Sequence, residues 1–384
     1  MDSLNAELAL LPAGLHDLLP PDAEREAALV EHAMGVFRAH GYERVKPPLA
    51  EFEESLLSGV GRAWSLQTFR LLDPESQRMM AIRADMTLQV ARLSATRLVK
   101  APRPLRLSYS GEVLRVGGAQ LSPERQFRQI GCELIGSLEP GADAEIIGLA
   151  IDALGGLGVV GLSIDLNLPT LVPTIFTAYG IAGEAERQLA LALNHRDTTV
   201  AGAAGEIGPL LLSLLDVAGP AERALKKLAA IELPDSARPA RDRLVETIRL
   251  LRLTHPEVKL TVDPLERQGF EYQTGLSFTV FARGSRRELG RGGRYRIGGD
   301  ADGEPAVGFS LFADAIAKAA PVLESVRRVF LPLGSTPADA HRLRKAGWVV
   351  VAGLTGADDN AVEAKRLGCD HVLTGAGKEP DSVD

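Results

Sequence analysis

Two cysteines, Cys132 and Cys369, are all that the 384 residues contain. They cannot make a disulfide framework, so a chain kept in a reducing cytoplasm is expected. No apolar run is long enough to cross a bilayer, and no basic-then-apolar leader follows Met1, so no membrane contact is expected. Nor is there a long Lys/Arg tract. The net charge is −7, a balance that leans away from nucleic acid as a partner. Metal-ligand spacing is missing as well, since Cys369 and His371 stand too isolated to form a site. The run Gly375-Ala376-Gly377-Lys378 lacks the earlier glycine of a phosphate loop. It has no Ser or Thr after Lys378 and opens no helix, so it is not read as one.

What is present is ordinary for a globular protein: 45% hydrophobic and 24% charged residues, over a length that holds two or three domains and a large core. The most informative stretch runs from Arg106 to Gly136. It reads as two antiparallel strands, 105–116 and 126–135, joined by a polar loop. Alternation puts Gln129, Gly131 and Glu133 on one face of the second strand, opposite the apolar set Phe127, Ile130, Cys132 and Leu134. Gly131 leaves room for a small molecule to approach the backbone. A carboxylate and an amide on one strand face suit an ammonium or imidazole ligand. Arg115 closes the first strand.

Ahead of this hairpin, Asp22 is placed as the N-cap of a helix. Ala23, Ala27, Val30, Met34 and Phe37 recur at helical spacing, and Gly41 ends it. Residues 41–53 form a strand broken by Pro47-Pro48. Residues 68–83 read as a hairpin turning at Asp73-Pro74-Glu75-Ser76. Asp85 and Thr87 then precede an amphipathic helix reaching Leu98. An Asp in that place is a cap, a ligand group, or both at once.

Beyond the hairpin come a helix over 142–157 and a strand over 159–167. The section 169–257 is rich in Ala and Leu, with breaks at Gly183, Gly202, Gly205, Gly219-Pro220 and Pro234. It reads as several short helices with no sheet, and His195 and Arg196 in it read as surface residues. A strand returns at 258–262. The Gly-rich segment 286–299 reads as a hairpin turn bearing Tyr295, and 306–320 as a strand running into a helix. From residue 327 onward, strands and helices alternate in a small α/β unit, expected to be parallel and right-handed.

These segments resemble the ordered motifs of class II aminoacyl-tRNA synthetases, in the form used by the histidyl enzymes. The strand ending in Arg115, its loop and RQFRQIGCE resemble motif 2. GYERVKPPLAEFE (41–53) resembles motif 1, which builds the dimer interface in that family. IRADMT (82–87) stands where the family has LRPEGT. ERQGFEYQTG (266–275) resembles its histidine signature, R-G-L-D-Y-Y. RRELGRGGRYRIGG (286–299) resembles its L-G-G-G-G-R-Y-D, and AVGFSLFADA (306–315) occupies the place of motif 3.

The resemblance implies an α/β (α+β) fold of the class II synthetase-like kind: an antiparallel sheet flanked by helices. The core would come in two parts, 1–168 and 258–325. A helical insertion (169–257) would separate them, and a truncated C-terminal α/β domain (326–384) would follow. It also implies a histidine pocket of Asp85, Thr87, Arg115, Gln129, Glu133, Tyr272 and Tyr295, with Asp85 receiving the amino group.

Four positions depart from the family pattern. Gly117 replaces a Glu that helps hold the nucleotide. Gln268 replaces an Arg that acts on the reacting phosphate and carboxylate. Gln273 replaces the second Tyr of the histidine signature, and Ala315 replaces the Arg that stacks on the base. Losing one preorganised donor costs about 10²–10³ in rate, and losing two costs on the order of 10⁴–10⁶. An amino-acid pocket is kept beside lost nucleotide machinery.

That combination is similar to a branch of the family without synthetase activity, the ATP phosphoribosyltransferase regulatory subunits. These pair with the short-form catalytic subunit in the first step of histidine biosynthesis. The implied role is non-catalytic and needs no cofactor. The implied assembly is a homodimer within a hetero-oligomer, with L-histidine as effector of feedback inhibition, bound in the ancestral pocket or at the subunit boundary. Two other readings stand beside it: an active histidyl-tRNA synthetase, and a scaffold that binds no small molecule.

Overall fold

A computed structural model of the chain describes residues 10–57, 59–118, 123–266, 273–298, 302–321 and 327–383. The chain forms two compact units, Met1–Pro321 and Val322–Asp384.

The first unit opens with α1 (Asp22–Ala39), whose buried face carries Leu29, Val30, Ala33, Met34 and Phe37 at helical spacing. Asp22 is not the cap: Pro21 holds that position, no side chain caps the helix, and Asp22 lies in the first turn. A carboxylate there still favours the helix dipole. Gly41 follows the helix at φ +83°, in the left-handed region. Pro47-Pro48 then separates two strands that belong to different sheets. β1 (Glu43–Arg44) joins a large sheet and β2 (Ala50–Phe52) a small one. After α2 (Glu53–Leu56), the hairpin of β3 (Arg70–Leu72) and β4 (Met79–Ile82) completes the small antiparallel sheet, in the order β2-β4-β3. Asp73 shapes the hairpin turn by accepting from the backbone N–H groups of Glu75 and Ser76, each at 3.2 Å.

α3 (Thr87–Thr96) leads to the central hairpin, β5 (Leu105–Leu114) and β6 (Gln126–Ile135), paired without a bulge from Leu105–Ile135 to Leu114–Gln126. Next come α4 (Pro140–Gly156) and β7 (Leu162–Asn167). The Ala/Leu-rich section folds as α5 (Leu171–Ala178), α6 (Gly183–Asn194), α7 (Thr198–Gly202), α8 (Gly208–Leu215), α9 (Ala221–Ala230) and α10 (Arg238–Thr254). It is not free of sheet, because β8 (Gly219–Pro220) pairs antiparallel with β9 (Lys259–Asp263). A two-residue pairing has no periodicity for a sequence to display. β10 (Ser277–Ala282), β11 (Gly290–Ile297), β12 (Glu304–Phe312) and α11 (Ala313–Ala319) complete the unit.

The large sheet runs β1-β5-β6-β12-β11-β10-β7-β9-β8. Every pair from β5 across to β7 is antiparallel, while β1 joins β5 and β9 joins β7 in parallel. Helices α1, α4 and α11 pack against its central strands. Ile130, Cys132, Leu134 and Phe309 are buried in this core, and Phe37 of α1 meets Phe309 edge-on at 5.6 Å. These helices close one face, and the start of α3 lies over the opposite one, where Met86 N donates to Gln129 Oε1.

The second unit contains β13 (Arg328–Leu331), α12 (Pro337–Lys345), β14 (Val349–Ala352), α13 (Asn360–Arg366), β15 (His371–Val372) and β16 (Asp381–Ser382). β13 pairs in parallel with β14 and β15, and β16 adds an antiparallel edge. Side chains start both helices. Thr336 Oγ1 accepts from Asp339 N at 3.1 Å, and Asp359 Oδ1 accepts from Ala361 N at 2.8 Å. His371 packs edge-on against Trp348 at 4.7 Å. Among the described residues, no helix is long and apolar enough to cross a membrane, and no group of His, Cys, Asp and Glu is placed to hold a metal.

Candidate functional site

Alternation along three central strands populates the face opposite α1, α4 and α11. β6 presents Phe127, Gln129, Gly131 and Glu133, β12 presents Gly308, Ser310 and Phe312, and β11 presents Arg291, Gly293 and Tyr295. The register sets Glu133, Gly308 and Gly293 in one row across the sheet. Gly131, Ser310 and Arg291 form the next row, about 7 Å further along the strands. Phe127 belongs to this face and not to the opposite apolar set: its parity is that of Gln129, and its ring meets Phe312 edge-on at 5.5 Å.

Glycines make room on this face for side chains. At Gly131 a β-carbon would overlap the Tyr109 hydroxyl, so Tyr109 fills the room that the sequence reserved for a ligand. At Gly308 a β-carbon would overlap Glu133 Oε2. The carboxyl therefore reaches across β12 to accept from the Tyr295 hydroxyl at 2.9 Å, while Oε1 accepts from Tyr109 at 3.0 Å. Tyr109 also lies 3.1 Å from Thr87 Oγ1 and 3.2 Å from Ser310 Oγ. Burial pushes the Glu133 carboxyl up to about 8, although the hydrogen bonds from Tyr295, Thr87 and Tyr109 favour its ionised form.

Asp85 precedes α3 and does two jobs. Oδ1 accepts from Thr87 N, at the first residue of the helix, at 2.8 Å, and Oδ2 accepts from Gln129 Nε2 at 3.0 Å. Gln129 is fully engaged behind it. Its Oε1 accepts from Met86 N at 2.8 Å, and its Nε2 also donates to Ser310 Oγ. Arg115 follows β5, with its guanidinium 4.6 Å from the Trp64 ring and 4.8 Å from the Phe127 ring.

Asp85, Thr87, Arg115, Glu133 and Tyr295 line a single cavity of about 320 Å³, together with Trp64, Arg291, Gly293, Ser310 and Phe312. Ligand pockets span ~300–1,000 Å³, so this one suits a molecule of amino-acid size. Gln129 is buried and does not line the cavity. Tyr272 and Gln268 lie outside the described residues. Among the positions that depart from the family pattern, Ala315 is buried in α11 and Gly117 is exposed.

Sequence reasoning missed Trp64, Tyr109, Arg291 and Ser310. Arg291 shares strand parity with Tyr295, which was signal enough to place both on one wall. Tyr109 pairs with Gly131 across the hairpin, a register that strand ends alone do not reveal. The wall thus combines the carboxyls of Asp85 and Glu133 with the guanidiniums of Arg115 and Arg291.

A family model described as Histidyl-tRNA synthetase matches residues 14–316. The chain is 57% identical to the ATP phosphoribosyltransferase regulatory subunit of Paramagnetospirillum magneticum, over 96% of this chain and 97% of that one. It is 55% identical to the regulatory subunit of Rhodospirillum centenum, over 97% of each. Among solved structures, an ATP phosphoribosyltransferase regulatory subunit/histidyl-tRNA synthetase from Bacillus halodurans superposes with a TM-score of 0.79 at 23% identity, over 96% of this chain and 99% of that one. That likeness bears on the fold, which is class II synthetase-like. On the extent and identity of these matches, the chain belongs to the family of ATP phosphoribosyltransferase regulatory subunits, built on the histidyl-tRNA synthetase fold.

Proposed function

We propose that the chain is the non-catalytic regulatory subunit of a cytoplasmic ATP phosphoribosyltransferase, required for the first step of L-histidine biosynthesis and for its feedback inhibition. Its partner is the short-form catalytic subunit, and it works as a homodimer within a hetero-oligomer. L-Histidine occupies the cavity. The observation that carries this reading is the cavity's lining, which holds the hydrogen-bonded Glu133–Tyr295 pair together with Asp85 and with Arg115, whose guanidinium lies against the Trp64 and Phe127 rings. The imidazole faces Glu133 and Tyr295, the ammonium faces Asp85 and Thr87, and the carboxylate faces Arg115. Charge-assisted hydrogen bonds to the ammonium and to the carboxylate select a zwitterion over a neutral molecule of the same size. Gln129 takes no part in contact and instead holds Asp85 in place.

Regulation follows only if histidine binds one arrangement of the assembly better than another. The test is to purify the chain with a short-form catalytic subunit and assay the complex with and without histidine. Activation of the catalytic subunit by the chain, with loss of activity on adding histidine, is the expected outcome. Histidine-dependent pyrophosphate exchange by the chain alone would instead reveal a synthetase. Activation of the partner with no histidine binding, alone or in complex, would reduce the chain to a scaffold.

A further inference from the structure

Arg115 is directly opposite Arg125, one pair beyond the end of the β5–β6 ladder at Leu114–Gln126. Opposed residues of an antiparallel pair exchange two backbone hydrogen bonds or none. Here one of the two has been replaced. Arg115 N donates to Arg125 O at 2.8 Å, whereas Arg125 N turns to Gly14 O, also at 2.8 Å. The Arg115 carbonyl is taken instead by the Arg125 side chain, whose Nε donates to it at 3.2 Å. The same guanidinium reaches Ala13 O through Nη1 at 3.1 Å and stands 5.1 Å from the Phe69 ring.

The segment that engages Arg125 lies ahead of α1. Leu15 N donates to Pro12 O at 3.0 Å, closing a turn whose third residue, Gly14, has φ +77°. That is the position of a type II turn that needs the left-handed region. Contact requires Gly14 a second time, because a β-carbon there would lie 2.5 Å from Pro123 O and 2.8 Å from Arg125 Cγ. A larger residue would push the turn off the hairpin. Arg115 lines the cavity, while Arg125 does not. The Arg115 guanidinium is held by the Trp64 and Phe127 rings and by the Ala84 carbonyl, to which Nε donates at 3.3 Å. Its backbone N–H and C=O are both held by Arg125.

We propose that Arg125 is a positioning residue: braced by the turn at Gly14, it fixes where the Arg115 guanidinium stands in the cavity and so sets the affinity for a carboxylate. This rests on the reading that Arg115 meets the carboxylate of histidine. A long side chain recognises an anion well only when its own backbone is fixed, because a loose backbone adds conformational entropy that binding must remove. Arg125 supplies that restraint without touching the ligand. Its carbonyl makes one ladder bond and its side chain substitutes for the other, which frees its N–H to tie down the segment at Gly14. The consequence is selectivity. Ligands with a carboxylate depend on Arg125, and those without one do not.

Calorimetry on the full chain tests this, with L-histidine and histamine against wild type, Arg125→Leu, Arg125→Gln, Arg115→Gln and the Arg115→Gln/Arg125→Leu double variant. Arg125→Leu should weaken L-histidine by about tenfold and leave histamine unchanged. Arg125→Gln, whose Nε2 falls where the arginine Nε stands, should recover most of the loss. In the Arg115→Gln background, Arg125→Leu should have no further effect, because the group it positions is gone. Equal L-histidine affinity in wild type and a folded Arg125→Leu overturns the positioning role while leaving the cavity reading intact. So do equal losses for both ligands, or losses that simply add in the double variant. Should Arg125→Leu not fold, Gly14→Ala takes its place with the same selective loss expected, and unchanged L-histidine affinity in it overturns the role. Failure of wild type to bind L-histidine overturns the cavity reading and the positioning role together.

Discussion

The Tyr295 hydroxyl donates to Glu133 Oε2 at 2.9 Å across the strand that separates their own. The contact passes over Gly308, the residue paired with Glu133, where any β-carbon would collide with the carboxyl. Gly308→Ala is therefore expected to displace Glu133. Overpacking of this kind costs about 1–3 kcal/mol, and histidine affinity should fall by more than about tenfold. Thermal unfolding and calorimetry measure both. A variant with wild-type affinity would mean that the Glu133–Tyr295 pair is not part of the ligand site.

Glu133 should also leave its mark on the pH dependence of stability. Burial holds its carboxyl at about 8 in the folded chain, against an ordinary value of 4.5. Between those values the folded chain keeps a proton that the unfolded chain has released. The contribution is complete below the lower value and is lost as pH rises through the upper one, at about 1.4 kcal/mol per pH unit. Glu133→Gln should flatten the stability profile within that window. Chemical denaturation of both proteins across the window gives the comparison, and parallel profiles would contradict the account.

Glu133→Ala should in addition weaken histidine inhibition of the complex. Removing one partner of a buried hydrogen bond typically loses about 10- to 100-fold in affinity. Calorimetry showing unchanged histidine affinity would count against this cavity as the effector site.

Arg115 is held between the Trp64 and Phe127 rings, which preorganises its guanidinium for an anion. Arg115→Gln should weaken L-histidine by at least about tenfold and leave histamine, which has no carboxylate, unaffected. Equal losses for both ligands would show that Arg115 supports the cavity's shape and not the carboxylate.

On the helix-covered side of the sheet, Arg294 ties β11 to the start of α4. Its Nη1 donates to Ser137 O and its Nη2 to Glu139 O, each at 2.8 Å. Its Nε lies 2.6 Å from Asp143 Oδ1, close but not aligned for a hydrogen bond. The aligned bond to Asp143 comes from Arg243 at 2.9 Å. Both Arg294 and Asp143 are buried. Arg294→Met should cost about 3–5 kcal/mol, because it strands a buried carboxylate and two carbonyls. Urea denaturation reads this directly, and a loss below about 1 kcal/mol would show that Arg243 alone satisfies Asp143.

Much of this was legible in the chain. Period-two alternation groups Gln129 with Glu133 without tertiary information, because successive side chains of a strand point to opposite faces. The same rule placed Phe127 and Arg291 on that face, had it been followed strictly. The ordered motifs carried the family and the sheet. They could not show that Gln129 stands behind Asp85, since both residues fit a ligand equally well when considered singly.

The sequence by itself determined which residue types share a strand face and which fold accommodates them, since those follow from local periodicity and motif order. Only the tertiary structure decided what each glycine is for. Gly131, Gly293 and Gly308 look alike in the chain, yet Tyr109, Gln273 and Glu133 respectively occupy the space they leave. Those neighbours come from strands and segments far apart in sequence. Which side chain fills the gap depends on cross-strand register and packing, and no local pattern encodes either.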